Sequence, residues 1–124
     1  MAAPALIALA HGSRDRRHAE TITELVREVK SQRPDLRIER AFREHSRPSL
    51  ETVVDRLVAA GHREIVVVPL LLTEAYHATV DVPAAVKEVA ERHSDLLIRS
   101  TRVLGLEACF LEVLDERMRA ALSR

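Results

Sequence analysis

The stretch ALIALAHGS, residues 5–13, predicts the fold, because an apolar run meets a polar turn that contains a glycine. A short continuous apolar run is typical of a strand that is covered on both faces of a parallel sheet. After the turn, apolar residues follow the i, i+3, i+4, i+7 spacing of an amphipathic helix: Ile22, Leu25, Val26 and Val29. We therefore predict a strand at Ala5–Ala10 and a helix from about Arg16 to Gln32, which Pro34 ends.

Strands and helices alternate through the rest of the chain. Further strands are predicted at Leu36–Phe42, Glu64–Leu70 and Leu96–Ser100, and further helices begin near Pro48, near Asp81 and after Gly105. Leu36–Phe42 alternates apolar and charged residues, which is typical of a half-exposed edge strand. With right-handed crossovers, the chain forms one α/β domain over residues 1–124. Its predicted core is a three-layer, open parallel four-stranded sheet of order 2-1-3-4 with helices on both faces.

Composition excludes several classes of function. Lys plus Arg equals Asp plus Glu at 19 each, which argues against nucleic-acid binding. No apolar run approaches the roughly 20 residues that span a bilayer, so no membrane association and a cytoplasmic location are expected. Glycine-rich phosphate loops are absent, which disfavours nucleotide binding. The single cysteine, Cys109, falls in an apolar helical pattern and is predicted to be a buried small hydrophobic residue.

Three potential metal ligands each follow a predicted strand: His11, Glu44 and His77. The carboxyl ends of parallel strands form one edge, where ligands bind at the point at which the strand order reverses. Two imidazoles and a carboxylate suit a divalent transition metal. Each residue also has an ordinary interpretation, as a polar turn residue, a solvated acid or a hydrogen-bonded structural histidine. His45 is close enough to Glu44 to be a reserve ligand.

Three motifs resemble those of the small sirohydrochlorin chelatases of the CbiX type. They are LIALAHGSRD (6–15), AFREHSRPSL (41–50) and VVVPLLLTEAYHATVDVPAAV (66–86), in order and over nearly the whole chain. The resemblance implies an ATP-independent chelatase that inserts a divalent metal into sirohydrochlorin or a related tetrapyrrole, in cobalamin or siroheme biosynthesis. Co²⁺ is the first expectation, with Fe²⁺ and Ni²⁺ as alternatives. Glu74 and Ala75 depart from the pattern, because many members have a small residue and a glycine there.

The resemblance also implies roles for particular residues. His11, Glu44 and His77 match the metal-binding and catalytic positions, and Ser13, Arg14, Ser46 and Tyr76 are expected to contact the tetrapyrrole. Short relatives work as homodimers, so either a second copy or a second chelatase-like half is the expected partner. Three alternatives stay open: a non-catalytic metal- or tetrapyrrole-binding domain, one half of a two-domain chelatase, and a plain dimerisation module.

Overall fold

The computed structural model describes residues 4–71, 82–103 and 108–123, with backbone only for residues 108 and 110. Its strands are β1 (Ala5–Ala10), β2 (Ile38–Phe42), β3 (Glu64–Pro69) and β4 (Leu97–Ser100). Its helices are α1 (Arg16–Gln32), α2 (Leu50–Ala59), α3 (Val82–Arg92) and α4 (Ala108–Leu122). In the described ranges, no helix is both long enough and apolar enough to cross a membrane.

The four strands form one parallel sheet in the order β2-β1-β3-β4, as predicted. β1 pairs with β2 on one side and with β3 on the other, and the register places Ala10 beside Phe42 and Leu9 beside Pro69. The ends of these three strands are therefore level. Residues that follow them leave the sheet at the same edge.

Helices α2 and α3 cover one face of the sheet. The main apolar core lies there and includes Ile7, Ile65 and Val67 from the strands, with Val54 and Leu57 from α2. All five side chains are fully buried. This cluster fixes α2 against the strands and so fixes the loop that leads into α2.

The other face of the sheet is less fully covered than the sequence predicts. Ile22 of α1 packs with Ala10 and Phe42, and the ring of His18 lies edge-on to Phe42 with centroids 6.2 Å apart. Leu6 and Ala8 of β1, however, are only half-buried, so the prediction that both faces of β1 are covered is wrong for this face.

Several large apolar side chains of α1 and α4 are exposed to solvent: Leu25, Val29, Leu111, Val113, Leu114, Met118 and Leu122. The spacing of Leu25 and Val29 on α1, and of Val113, Leu114 and Leu122 on α4, predicts buried stripes, but none of the described residues buries them. Cys109 on α4 is exposed for the same reason, so the prediction that it is a buried residue is wrong. We call the α4 members of this set, without Cys109, the exposed apolar surface.

Helix α2 begins at Leu50, two residues after Pro48. The carbonyl oxygen of Pro48 accepts a hydrogen bond from the Phe42 amide (2.9 Å), and Ser49 forms a parallel bridge with Phe42. Ser49 is therefore still extended, and the helix starts after it. The Ser49 hydroxyl then accepts a hydrogen bond from the Thr52 amide (3.2 Å) and caps the helix.

Smaller differences of one or two residues affect three strands. β2 and β4 start later than predicted because Leu36 and Leu96 close turns with backbone hydrogen bonds of 3.1 and 3.0 Å. β3 ends at Pro69, one residue early, and proline has no amide hydrogen to continue a ladder. These shifts leave the order of the strands and the position of their carboxyl ends unchanged.

Candidate metal centre

His11 and Glu44 meet at the carboxyl edge of the sheet, directly after β1 and β2. Nε2 of His11 lies 2.8 Å from Oε1 of Glu44. Backbone hydrogen bonds from Arg43 to Ala10 and from Glu44 to His11, both 2.9 Å, continue the ladder between the two segments beyond the strands. Side chains that are 33 residues apart in the sequence are thus held in contact, and both remain accessible, with 39% and 51% of their surfaces exposed.

Gly12 allows this close approach. Its φ is +102°, a conformation that residues with a Cβ rarely adopt, and a Cβ placed there would lie 1.7 Å from the carbonyl oxygen of Glu44. The sequence suggested only a tight turn at Gly12. The contact with Glu44 depends on the neighbouring strand, so local sequence carried no signal for it.

His45 approaches the same carboxylate from a tight turn. Its φ is +66°, and the Ser46 amide donates a 2.8 Å hydrogen bond to the carbonyl oxygen of Glu44. Nε2 of His45 lies 3.5 Å from Oε2 of Glu44. Glu44 therefore has His11 at one oxygen and His45 at the other. The role of His45 as a reserve ligand stays a prediction.

Three of the residues expected to contact a tetrapyrrole lie in the two turns that follow His11 and Glu44: Ser13, Arg14 and Ser46. Ser46 Oγ donates a 3.4 Å hydrogen bond to the carbonyl oxygen of Ser13. Ser13 Oγ accepts one from the Asp15 amide (3.1 Å), which orders the turn before α1. Arg14, in the same turn, is exposed. Ser13, Arg14 and Ser46 thus lie close in the chain to the His11–Glu44 pair, and their contact with a tetrapyrrole stays a prediction.

Asp15 caps α1 beside these residues. Its carboxylate accepts a hydrogen bond from the Arg17 amide (3.0 Å) and forms a 2.7 Å ion pair with the Arg17 guanidinium. These hydrogen bonds with Arg17 hold the pKa of Asp15 below its usual value. Asp15 is therefore committed to the start of α1 and is not a free ligand for the site.

His77 and Tyr76 lie outside the described residues, as do Glu74 and Ala75. Among the residues that are described, no three His, Cys, Asp or Glu side chains are grouped in a way that would hold a metal ion. The structure thus brings together two of the three predicted ligands. The metal-binding roles of all three stay predictions.

A polar cluster away from this edge joins α2 to α3. Nε2 of His93 lies 2.8 Å from Oδ1 of Asp55, and Arg92 reaches both Asp55 (3.1 Å) and Glu51 (3.3 Å). The hydrogen bond with His93 is the largest cause that lowers the pKa of Asp55, and the charge of Arg92 adds to it, while burial opposes both. This cluster was not predicted from the sequence, because its partners lie 37 to 41 residues apart in the chain.

We expect Asp55→Asn to lose about 0.5–1 kcal/mol of unfolding free energy at pH 7, a small value because the pair is partly exposed. Since the pKa of Asp55 is lower in the folded state, its contribution is complete above the unfolded value and is lost as the pH falls through the folded one. The difference between wild type and variant should therefore shrink below about pH 4. Urea unfolding between pH 7 and pH 2 measures it.

Asp115→Asn provides the control, because among the described residues the ion-pair partner of Asp115 is Arg119, one turn away on an exposed helix face. Its effect should be near zero at every pH. Equal losses in the two variants, or a loss for Asp55→Asn that grows in acid, would contradict the assignment of Asp55.

An open parallel sheet with imidazole and carboxylate groups at the reversal of strand order defines an α/β domain of the ligand-binding class, with a candidate metal site at its carboxyl edge. Within that class the chain belongs to the CbiX family, whose model matches residues 5–121. The family predicted from the three motifs is confirmed.

Solved structures and curated relatives agree with this assignment. The putative cobalamin biosynthesis CbiX protein of Marinobacter aquaeolei VT8 is 30% identical, with a TM-score of 0.87 over 98% of this chain and 99% of that one. The sirohydrochlorin chelatase SirB of Bacillus subtilis subspecies spizizenii, in complex with cobalt, is 27% identical, with a TM-score of 0.87 over 94% and 50%. The sirohydrochlorin cobaltochelatase of Sulfolobus acidocaldarius is 28% identical over 95% of this chain and 92% of its own.

Other relatives are much longer than this chain. Its matches span 26% of the sirohydrochlorin cobaltochelatase and 43% of the sirohydrochlorin ferrochelatase of Priestia megaterium. The domain therefore occurs both as nearly the whole of a protein and as a part of one.

Proposed function

We propose that this chain is a chelatase domain that inserts a divalent metal into sirohydrochlorin or a related tetrapyrrole. The observation that carries the proposal is the His11–Glu44 pair, held 2.8 Å apart and accessible at the carboxyl edge of the sheet. Relatives named as sirohydrochlorin cobaltochelatases and ferrochelatases support the substrate. Cobalt and iron both appear in the names of relatives and of solved structures. We take cobalt as the first candidate metal and iron as the second.

In the proposed mechanism the metal is a substrate in transit. His11 and Glu44 supply one nitrogen and one oxygen ligand, and we propose His77 as the third ligand. Three protein ligands leave coordination positions open for the incoming tetrapyrrole nitrogens. A site with so few ligands also releases its metal more readily than a closed structural site.

The same residues can accept the protons that insertion displaces. Two pyrrole N–H groups must lose their protons, and a neutral imidazole or an ionised carboxylate is a suitable base at neutral pH. The contact between Nε2 of His11 and Oε1 of Glu44 lets a proton taken by one group be stabilised by the other. His45, 3.5 Å from the second oxygen of Glu44, extends this path away from the metal. No nucleotide is required by this chemistry.

The test mixes purified protein, Co²⁺ and sirohydrochlorin and follows the absorbance of the tetrapyrrole against a reaction without protein. A rate above that control is expected. A folded protein that binds Co²⁺ but leaves the rate at the control level would instead be the non-catalytic binding domain.

We also propose that a second copy of this chain, or a second chelatase-like half, covers the exposed apolar surface. Leu114 is 54% exposed and Leu122 is 77% exposed, and a surface of this kind on a small domain typically marks an interface. The lengths of two similar solved structures are consistent with this proposal. The chain matches 99% of the CbiX protein of Marinobacter aquaeolei VT8, but 50% of the cobalt complex of SirB, which therefore has room for a second half.

For the isolated chain we expect a dimer in sedimentation experiments, and the double substitution Leu114→Glu and Met118→Glu should convert it to a monomer. Charges in the middle of an apolar interface are left without partners and desolvated. Glu112→Lys and Arg117→Glu, a charge exchange on the same helix, form the control and should leave the dimer intact. A wild-type monomer at high concentration would refute self-association.

A further inference from the structure

A cavity of about 550 Å³ lies beside the edge strand β2, outside the His11–Glu44 pair. Its lining comes from β2, from the loop that carries Glu44, and from the first two turns of α2: Arg40, Arg47, Pro48, Ser49, Thr52 and Arg56. Of the residues that the structure describes, three arginines contribute to the lining and no carboxylate does. The volume is in the range of sites that bind small molecules.

The carboxylates nearest in sequence to this cavity already have other partners. Glu39 pairs with Arg37 (2.8 Å), and Glu51 and Asp55 both pair with Arg92 on α3. Over the described part of the chain, Arg40, Arg47 and Arg56 form no ion pair. Three positive charges therefore line one cavity without a compensating anion, which makes it attractive to negatively charged groups.

Helix α2 presents polar groups to the cavity along one face. Ser49, Thr52 and Arg56 are spaced by three and four residues, so they lie on the same side of the helix, while Val53 and Leu57 are buried on the other. The hydroxyl groups of Ser49 and Thr52 lie 3.0 Å apart and are hydrogen-bonded to each other, so two polar groups lie together on the cavity wall. The positive end of the helix dipole also lies at this end of α2.

We propose that this cavity binds an anion with at least two carboxylate or phosphate groups. A guanidinium group binds such groups through two parallel hydrogen bonds, and three guanidinium groups allow more than one to be held at once. The loop makes the cavity a neighbour of the candidate metal centre, because Arg47 follows Glu44 by three residues and Pro48 is hydrogen-bonded to Phe42.

Two sources supply this chemistry. One is the set of peripheral carboxylates of a tetrapyrrole bound at the metal centre, which rests on the proposed function. The other is a free small polyanion. In the first case the loop between residues 43 and 49 would position the substrate. In the second case anion binding at Arg47 would affect Glu44, because both residues lie on this loop.

The experiment measures binding to the full chain by calorimetry with three probes: metal-free sirohydrochlorin, citrate and inorganic pyrophosphate. Wild type is compared with the double variant Arg40→Gln, Arg56→Gln. Loss of two charge-assisted contacts should weaken the bound probe by about 100-fold or more. Arg63→Gln is the control, because Arg63 is exposed and lies before β3, away from the cavity, and it should change affinity by less than about twofold.

The pattern across probes identifies the source. Weaker binding of sirohydrochlorin alone assigns the cavity to the tetrapyrrole carboxylates, and weaker binding of citrate or pyrophosphate assigns it to a free polyanion. If all three probes bind the folded double variant as they bind wild type, or if none binds wild type, the inference is overturned. Because no metal is present, a chain that never inserts metal can still pass this test, and an active chelatase can still fail it.

Discussion

Replacing His11 by Ala should lower the rate of metal insertion at saturating tetrapyrrole by about 100-fold or more. In the proposed mechanism His11 supplies both a metal ligand and a proton acceptor, and a positioned base alone contributes about 10²–10⁴-fold. Because the His11 side chain is 39% exposed, its removal leaves no large buried cavity and the fold should persist. Insertion is followed by absorbance, Co²⁺ binding by calorimetry and unfolding by circular dichroism.

Glu44→Gln separates charge from shape at the same site. The side-chain amide of Gln has the size of the carboxylate, and the main-chain hydrogen bonds of residue 44 with His11 and Ser46 are unchanged. The amide is, however, a poorer metal ligand and a negligible base. We expect its loss of activity to approach that of His11→Ala, and the double variant to be little worse than either single one, because the two side chains act together.

His62→Ala is the matched control for these substitutions. His62 is also partly buried, but it precedes β3 and so lies at the amino edge of the sheet, away from the site. It should keep wild-type insertion and Co²⁺ affinity. Wild-type insertion by His11→Ala would remove this residue from the mechanism, and an equal loss in His62→Ala would show that the effect is one of folding.

The sheet could be predicted because its pattern is carried by short segments. The alternation in β2 places it at an edge, and short connections with right-handed crossovers then leave few strand orders. Since parallel strands end at one edge, His11 and Glu44 could be expected to converge before any coordinates were known. This part of the site follows from topology alone.

Other features depend on contacts that no local pattern encodes. The start of α2 is delayed by the hydrogen bond between Phe42 and Pro48, and the turn at His45 depends on the loop that this bond closes. Arg40 looks in sequence like an ordinary charged residue of an edge strand, and only the packing of α2 beside β2 makes it part of a cavity.

The periodicity of α4 illustrates a different limit. An amphipathic pattern predicts that a face is covered, but it does not identify what covers it. Within the described ranges, Leu111, Leu114 and the exposed Cys109 have no covering element. Cys109 was wrongly predicted to be buried because α4 has an apolar face that no described element covers. The same uncovered face is the basis for proposing a second copy or half.

Gly12→Ala should cause the largest loss of stability among the substitutions considered. A Cβ at φ +102° costs about 1–3 kcal/mol, and this one would also lie 1.7 Å from the carbonyl oxygen of Glu44. The backbone at both sites must shift, which should cost about 1–3 kcal/mol more. The total free energy of unfolding of a domain of this size is about 5–15 kcal/mol. Urea unfolding measures the loss, and Co²⁺ affinity measures the displacement of Glu44.

Gly61→Ala isolates the part of that loss that belongs to the site. Gly61 has nearly the same φ, +97°, but a Cβ there meets no atom within 4 Å. The two variants therefore share the conformational cost and differ only in the contact with Glu44. A larger loss for Gly12→Ala, accompanied by weaker Co²⁺ binding that Gly61→Ala does not show, is the result expected if Gly12 holds His11 and Glu44 together. Equal losses with unchanged Co²⁺ binding would mean that the two loops can separate without cost, and the pair would then not be preorganised for metal.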